Sequence, residues 1–257
     1  MCYAFTPVSG PTGAITWLPK KVIEQYLQKG LIREAEWIYP GDRSNVFTWI
    51  DGEIAAAPMR FDLVPRFFLA KENLPLADML KRKQSRKKGG DGFSSYNARS
   101  ETLLEKASFR TPWAESKRMV VPVSAFRERP NEDDAPAEFR GREYIVHLSE
   151  TGNLAGIYDR WTNPQGETLE SFGIITVDST ANPLLRSIYH PRCPLILDHS
   201  QVEAWLDPKT TPAQALEMIK LFPAEAMSLE EVPKAAKPEA KPAAPKPGGA
   251  EQLGLGI

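Results

Sequence analysis

The fold is constrained most by a series of apolar segments, rich in β-branched and aromatic residues, in the second half of the chain. They span residues 119–126, 143–148, 154–161 and 169–177. Gly152-Asn153 and Asn163-Pro164-Gln165-Gly166 separate the later segments and are typical of turns. The pattern therefore predicts consecutive strands joined as a meander.

The rest of the first 222 residues mixes helical and strand patterns. Apolar residues at helical spacing predict one or two helices over residues 19–38. Two apolar runs, 46–50 and 53–57, are joined by Asp51-Gly52, a dipeptide that suits a hairpin turn. Helices are predicted over 182–189, 200–206 and 212–222, and a strand over 193–197. We predict an α+β fold: a single domain, residues 1–222, with a mostly antiparallel, curved or barrel-like sheet flanked by helices.

Residues 223–257 differ in composition, being rich in Pro, Ala, Lys and Glu, and predict a disordered tail. Apolar residues return only at its end, in Gln252, Leu253, Leu255 and Ile257. This spacing is similar to the short peptides by which repair proteins dock on the replication sliding clamp. The two interpretations of residues 252–257 are a clamp-binding peptide and a tail without a partner.

Composition excludes several classes of function. With 42% hydrophobic and 25% charged residues and a net charge of −1, the chain is globular and not basic overall, so any nucleic-acid signal must be local. Two cysteines and three histidines predict neither a disulfide framework nor a metal site. There is no apolar run of about 18 residues and no signal-peptide pattern. We expect a cytoplasmic protein without a membrane partner.

One local basic cluster lies within residues 71–96, before Gly89-Gly90-Asp91-Gly92. Its members are Lys81, Arg82, Lys83, Arg86, Lys87 and Lys88. The pattern predicts an exposed, mobile loop, which either contacts phosphates or is merely solvated.

Cys2 follows the initiator methionine, so removal of Met1 would put an amine and a thiol on one residue. An aldehyde can form an imine with that amine and then close onto the sulfur as a thiazolidine ring. The amine titrates near about pH 8 and the thiol near about 8.5, so both are partly reactive at neutral pH. The alternative interpretation is that Cys2 is an accident of the start site.

Three polar residues stand beside apolar strand segments and suit proton transfer or positioning. Asn97 can orient a nucleophile by hydrogen bonds, Glu128 can exchange protons if buried, and His190 titrates near neutrality. Each also has a purely structural interpretation, as a turn residue, a solvated carboxylate or a packed loop histidine.

Taken in order, the runs Asn97-Ala98-Arg99-Ser100-Glu101-Thr102, Pro122 to Glu128 and His190-Pro191-Arg192-Cys193-Pro194 resemble the SOS-response-associated peptidase (SRAP) family over residues 2–206. Members of this family sense abasic sites in single-stranded DNA. The resemblance implies a thiazolidine crosslink formed by Cys2 after Met1 removal, which in this family is also self-catalysed. It assigns Asn97, Glu128 and His190 to catalysis and Arg99 and Arg192 to phosphate binding, with no cofactor or metal.

The sequence departs from the family pattern around these residues. Cys2-Tyr3-Ala4 stands where the family has Cys-Gly-Arg, so a phosphate contact is missing. Arg60-Phe61 replaces Arg-Trp, and Phe61 is expected to stack on a base. Arg129 replaces a tryptophan after Glu128. We expect Arg60, Phe61 and the basic cluster, chiefly Lys81, Arg82 and Lys83, to complete a DNA-binding surface of a nucleoid-associated, damage-response protein.

Two other classes of function stay open. An N-terminal-nucleophile amidohydrolase would use the same Cys2 against an amide, but such domains begin Cys-Gly-Ile, unlike Cys2-Tyr3-Ala4. A non-catalytic single-stranded DNA-binding module would use only Arg99, Arg192 and the basic cluster. The family label also brings protease, hydrolase and lyase activities into consideration.

Overall fold

A computed structural model describes residues 2–8, 18, 22–24, 37–69, 75–84, 94–162 and 166–233. The strands are β1 (Ala4–Pro7), β2 (Arg43–Ile50), β3 (Glu53–Phe61), β4 (Asn97–Arg99), β5 (Arg118–Glu128), β6 (Tyr144–Thr162), β7 (Thr168–Asp178), β8 (Arg192–Pro194), β9 (Ile196–Leu197) and β10 (Met227–Glu231). The helices are α1 (Arg66–Leu69), α2 (Leu76–Gln84), α3 (Ala107–Ala114), α4 (Pro183–Ser187), α5 (His199–Leu206) and α6 (Pro212–Glu217), with 3₁₀ turns at Ser100–Thr102 and Ala224–Ala226. The predicted mixed α and β class is confirmed.

Strand pairing forms a closed circuit. The order β1-β5-β2-β3-β7-β6-β10 is supplemented by direct pairing of β5 with β6. The circuit β5, β2, β3, β7 and β6 thus returns to its starting strand. Within it, only β3 pairs with β7 in parallel. The register between β5 and β6 shifts between Val123 and Ala125, and such a bulge bends the strands.

β6 corrects one prediction. Residues 143–148 and 154–161 were expected to form two strands around a Gly152-Asn153 turn, but both lie in the continuous β6. A Cβ at Gly152 would lie 2.5 Å from Leu148 Cδ1 and 2.8 Å from Ile196 Cγ2, so glycine serves close packing there. Asn153 pairs with Pro122 of β5 and Leu197 of β9.

The hairpin prediction for the first half is confirmed. β2 and β3 pair antiparallel from Arg43 opposite Arg60 to Ile50 opposite Glu53. The turn residues Asp51 and Gly52 have φ values of 50° and 91°, as a type I′ turn requires.

The C-terminal part of the domain extends further than predicted. Helices α4 and α5 lie within or around the predicted ranges, whereas α6 ends at Glu217 instead of residue 222. Beyond it, β10 pairs with β6 from Met227 opposite Leu148 to Glu231 opposite Tyr144. The domain boundary expected at residue 222 was therefore placed too early. Residues 234–257 of the predicted tail and most of the predicted helix over 19–38 lie outside the described residues.

The core fills the space between the curved strands. Phe5, Phe61 and Phe172 have no exposed surface. Phe61 packs edge-on against Phe5 at 5.2 Å and stacks on Phe172 at 5.3 Å between ring centroids. β1 therefore anchors the N-terminal segment in the core, which fixes where Cys2 lies. In the described part of the chain, no helix has the length and apolar character needed to cross a bilayer.

Candidate active site

Cys2 lies immediately before β1, next to the end of β5 that carries Glu128. β1 pairs with β5 so that Ala4 is opposite Arg127. The Cys2 side chain is fully buried, and its Sγ atom lies 3.6 Å from the carbonyl oxygen of Ala4. The carbonyl oxygen of Cys2 accepts a hydrogen bond of 2.9 Å from Asn97 Nδ2. Asn97 thus contacts the backbone of the candidate nucleophile directly.

Glu128 and His190 form a buried pair. His190 Nε2 lies 3.0 Å from Glu128 Oε2, and both side chains are almost completely buried. The other ring nitrogen, Nδ1, lies 2.6 Å from the carbonyl oxygen of Arg129. A carbonyl only accepts, so Nδ1 must donate, and one shared proton then joins Nε2 to the carboxylate. The pair is therefore an orientated site for proton transfer.

The loop before β8 fixes the histidine. The backbone amide of His190 donates to the Leu185 carbonyl at 3.0 Å, and its carbonyl accepts from Ser179 Oγ at 2.9 Å. The preceding residue, Tyr189, has a positive φ of 54°. This sharp turn after α4 directs His190 towards the end of β5.

The electrostatics assign the proton within this site. Burial acts to raise the pKa of Glu128, but the charges of His190 and of the chain's amino terminus, with hydrogen bonds from both, leave that pKa below its ordinary value. Burial, followed by the charge of Glu128, raises the pKa of the Cys2 thiol well above its ordinary value. At neutral pH the site therefore contains a carboxylate that can accept a proton and a neutral thiol that can release one.

The predicted phosphate-binding arginines differ in their surroundings. Arg99 is exposed and lies two residues after Asn97 on β4, so both side chains point to the same face of the strand. Arg192 is largely buried and holds both carboxylate oxygens of Glu101, at 2.7 and 3.0 Å. This pairing lowers the pKa of Glu101. A phosphate at Arg192 would therefore compete with Glu101, whereas Arg99 is open to solvent.

The base-stacking role expected for Phe61 is wrong for this structure. Its ring has no exposed surface and packs against the rings of Phe5, Tyr96 and Phe172 in the aromatic core. The neighbouring Arg60 is partly buried and donates from Nη1 to the Gly41 carbonyl at 2.6 Å. Burial lowers the pKa of Arg60, although Asp62 and Asp42 act in the opposite direction. Arg60 thus supports the turn before β2.

The basic cluster is also corrected in part. Lys81, Arg82 and Lys83 lie on α2, not in a loop. Lys83 is buried and forms an ion pair with Asp62, so it supports the fold. Lys81 is exposed and pairs with Asp78 at 3.2 Å. The side chain of Arg82 and residues 86–88 lie outside what the structure describes.

An arginine and aromatic surface beside Cys2 was missed by the sequence analysis. The Arg129 guanidinium lies 4.4 Å from the centroid of the Tyr3 ring, and its Nη2 atom lies 2.8 Å from Glu143 Oε2. Arg127 pairs with the same Glu143 and lies over the ring of Trp37 at 4.2 Å. The signal in the sequence was the alternation of arginines on either side of Glu128 at the end of β5. We call these residues the arginine-aromatic surface.

A thiol at the second residue, beside a buried carboxylate and imidazole at the edge of a closed sheet, defines a candidate nucleophilic site. Among the described residues, no group of three or more metal-ligating side chains occurs. The chain belongs to the SOS response associated peptidase (SRAP) family, whose model matches residues 28–237. This match includes Asn97, Glu128 and His190 and begins after Cys2.

Curated relatives carry names that describe their activity. The chain is 36% identical over 139 residues to "Abasic site processing protein YoqW" of Bacillus subtilis (strain 168), which covers 54% of this chain and 59% of that protein. It is 31% identical over 187 residues to "Abasic site processing protein HMCES" of Rattus norvegicus, covering 63% of this chain and 48% of that protein. The chain thus spans about half the length of the curated relatives it matches.

Solved structures share the fold. A crystal structure of a protein from Bacteroides thetaiotaomicron superimposes with a TM-score of 0.66 at 24% identity, covering 91% of this chain and 93% of that one. A second, from Bordetella bronchiseptica, gives a TM-score of 0.63 at 18% identity, covering 90% and 100%. These similarities establish the architecture alone.

Proposed function

We propose that this protein processes abasic sites in single-stranded DNA by forming a covalent thiazolidine crosslink through Cys2 after removal of Met1. The observation that carries the proposal is the buried pair of Glu128 and His190, joined at 3.0 Å beside the fixed backbone of Cys2. The names of the relatives, which describe abasic site processing, support the same substrate.

The reaction balances with these residues alone. The Cys2 amine attacks the aldehyde of the ring-opened sugar, and the carbinolamine loses water to give an iminium ion. The thiol sulfur then bonds to the iminium carbon, and the S–H proton leaves. Glu128, ionised because its pKa is lowered, accepts protons during these steps, and His190 returns one to the departing water. No cofactor takes part.

The charged and aromatic side chains near Cys2 are of the types that bind single-stranded DNA of any sequence. Arg99 is exposed on the same face of β4 as Asn97, and the arginine-aromatic surface adds two guanidinium groups, each over an aromatic ring. Such surfaces bind phosphates and stack bases without reading sequence. Arg129 supplies a cation near Cys2, which compensates for Ala4 at the position where the family has an arginine. Arg192 would bind a phosphate only after that phosphate displaced Glu101.

Intact mass spectrometry after incubation with an abasic oligonucleotide tests the proposal. We expect the wild type to gain the mass of the oligonucleotide less one water, on a chain that begins at Cys2. Cys2→Ala should show no adduct, whereas the matched control Cys193→Ala should retain it, because Cys193 is an internal residue without a free amine. A heat-stable adduct in Cys2→Ala without added reductant would refute the mechanism.

Two further readouts, ammonia release from glutamine and noncovalent retention of the oligonucleotide, separate the other classes of function. An N-terminal-nucleophile amidohydrolase would release ammonia from glutamine without a DNA adduct, and a binding module would retain oligonucleotide without any covalent mass. Self-processing peptidase activity is limited in this proposal to removal of Met1. Its sign would be a Met1-free chain in wild type and retained Met1 in Glu128→Gln, after synthesis in a system without methionine aminopeptidase.

A further inference from the structure

A cavity lies next to His190, and none of the residues of the arginine-aromatic surface line it. It has a volume of about 380 Å³, and its lining includes Asp134, Thr180, Arg186, Ser187, Tyr189 and His190. Because His190 belongs to its wall, the cavity adjoins the proton-transfer pair. Its volume lies within the range of small-ligand pockets.

Tyr189 is the aromatic wall of this cavity, and its backbone is held in an unusual conformation. Its φ of 54° lies in the left-handed region, which non-glycine residues other than Asn and Asp rarely adopt. Backbone hydrogen bonds of 3.0 Å, from Tyr189 to the Arg186 carbonyl and from Asn131 to the Tyr189 carbonyl, maintain it. Residues in such conformations are concentrated at binding sites.

Tyr189 contacts one neighbouring aromatic ring and keeps part of its surface exposed. It packs edge-on against Phe139, with centroids 4.9 Å apart, and the residue keeps 38% of its surface exposed. The exposed Arg186, in the last turn of α4, adds a cation to the same cavity. Hydroxyl groups of Thr180 and Ser187 and the Asp134 carboxylate supply further polar atoms. An aromatic face, a cation and hydrogen-bonding groups together suit a nucleotide.

We propose that this cavity binds the base of the nucleotide next to the abasic nucleotide in the bound strand, with Tyr189 stacking on the base and Arg186 contacting its phosphate. The inference rests on the proposed function, and His190, which lines the cavity and also pairs with Glu128, is the residue that links the two.

A double-mutant cycle tests this site by combining one substitution in the protein with the removal of one base from the DNA. The probe is an oligonucleotide with a central tetrahydrofuran nucleotide, which lacks the aldehyde and so binds without crosslinking. Companion probes carry a second tetrahydrofuran at the 5′ or the 3′ neighbour. Fluorescence anisotropy should show that wild type loses affinity about tenfold for one companion probe, as expected when one base-aromatic stack is lost.

The matched variants are Tyr189→Asn and Tyr189→Phe. Asparagine tolerates the left-handed backbone, so the fold should persist, with an unfolding temperature close to wild type. Tyr189→Asn should bind the complete probe about tenfold more weakly and be indifferent to the missing neighbour, whereas Tyr189→Phe should behave as wild type. Arg186→Gln should reduce the salt dependence of binding by about 0.7 in the log-log slope, and the distant Arg160→Gln should not.

Two results would overturn the inference. One is a wild-type affinity that is the same for the complete probe and for both companion probes. The other is an equal loss of affinity for a companion probe in wild type and in Tyr189→Asn. These readouts do not depend on the aldehyde. Tyr189-dependent neighbour sensitivity in a protein that forms no adduct with an authentic abasic site would support the cavity and refute the proposed crosslinking.

Discussion

Asn97 donates a hydrogen bond of 2.9 Å to the carbonyl oxygen of Cys2, a residue 95 positions earlier in the chain. β4 holds Asn97 against β7 in parallel pairing, and β1 holds the segment after Cys2 against β5. The contact therefore couples two separate parts of the sheet at one backbone atom. Its consequence is that the amine and thiol of Cys2 have a defined position relative to Glu128.

Asn97→Ala should slow crosslinking by about fivefold without unfolding the protein. The change removes one hydrogen bond, for which a net contribution of about 1 kcal/mol is typical. Single-turnover rates with an abasic oligonucleotide, measured beside the unfolding temperature, check this. An unchanged rate at full stability would show that Asn97 has no positioning role.

Glu128→Gln should lower the crosslinking rate by about 10²- to 10⁴-fold, because the amide cannot accept a proton. The pKa of Glu128 lies below its ordinary value of 4.5, so the carboxylate is present above that lowered pKa and is lost only as pH falls through it. The rate ratio of wild type to Glu128→Gln should thus stay constant from pH 8 to about pH 5 and decline only at lower pH. A ratio that falls between pH 7 and 6 would contradict the lowered pKa.

Sequence alone predicted the strands better than the contacts that side chains make around Cys2. Apolar segments rich in β-branched and aromatic residues revealed β5 and β7, and Asn97, Glu128 and His190 stood in distinctive runs. Phe61 was misassigned because the sequence pattern of an aromatic residue in a strand is the same whether its ring packs in the core or contacts a ligand. Lys83 was misassigned because only the fold shows Asp62 beside it. Tyr3 and Arg129 meet across the sheet, a contact that no local pattern contains.

Arg129→Gln should weaken binding of unmodified single-stranded DNA and reduce its salt slope by about 0.7, the contribution of one phosphate contact. The side chain is suited to this because it is exposed over Tyr3 at the edge of the site. Arg160→Gln is the matched control, since Arg160, near the C-terminal end of β6, is also an exposed arginine with a carboxylate neighbour, Glu170. Equal effects of the two changes would indicate general electrostatics instead of a local contact.

Deleting residues 252–257 should abolish binding to the sliding clamp and leave crosslinking of naked DNA unchanged. The Gln252, Leu253, Leu255 and Ile257 pattern carries this proposal, and these residues lie outside the described structure. A peptide joined to a folded domain raises the local concentration of that domain near the peptide's partner without a large interface. Titration of a peptide of residues 247–257 against the clamp measures it, and no binding at high micromolar concentration would refute it.

Lys83→Met should destabilise the protein by about 3–5 kcal/mol, because it leaves Asp62 buried without its cation. Asp62 also accepts a hydrogen bond of 3.0 Å from the Ser95 amide. If Asp62 moves when its partner Lys83 is replaced, the segment leading into β4 and Asn97 loses this hydrogen bond. Lys81→Met, two positions earlier on α2, is the matched control, since its exposed pair with Asp78 should contribute about 0–1 kcal/mol. Urea unfolding of both variants distinguishes them. A Lys83→Met protein as stable as Lys81→Met, but with weaker DNA binding, would return Lys83 to the DNA-binding surface that the sequence predicted.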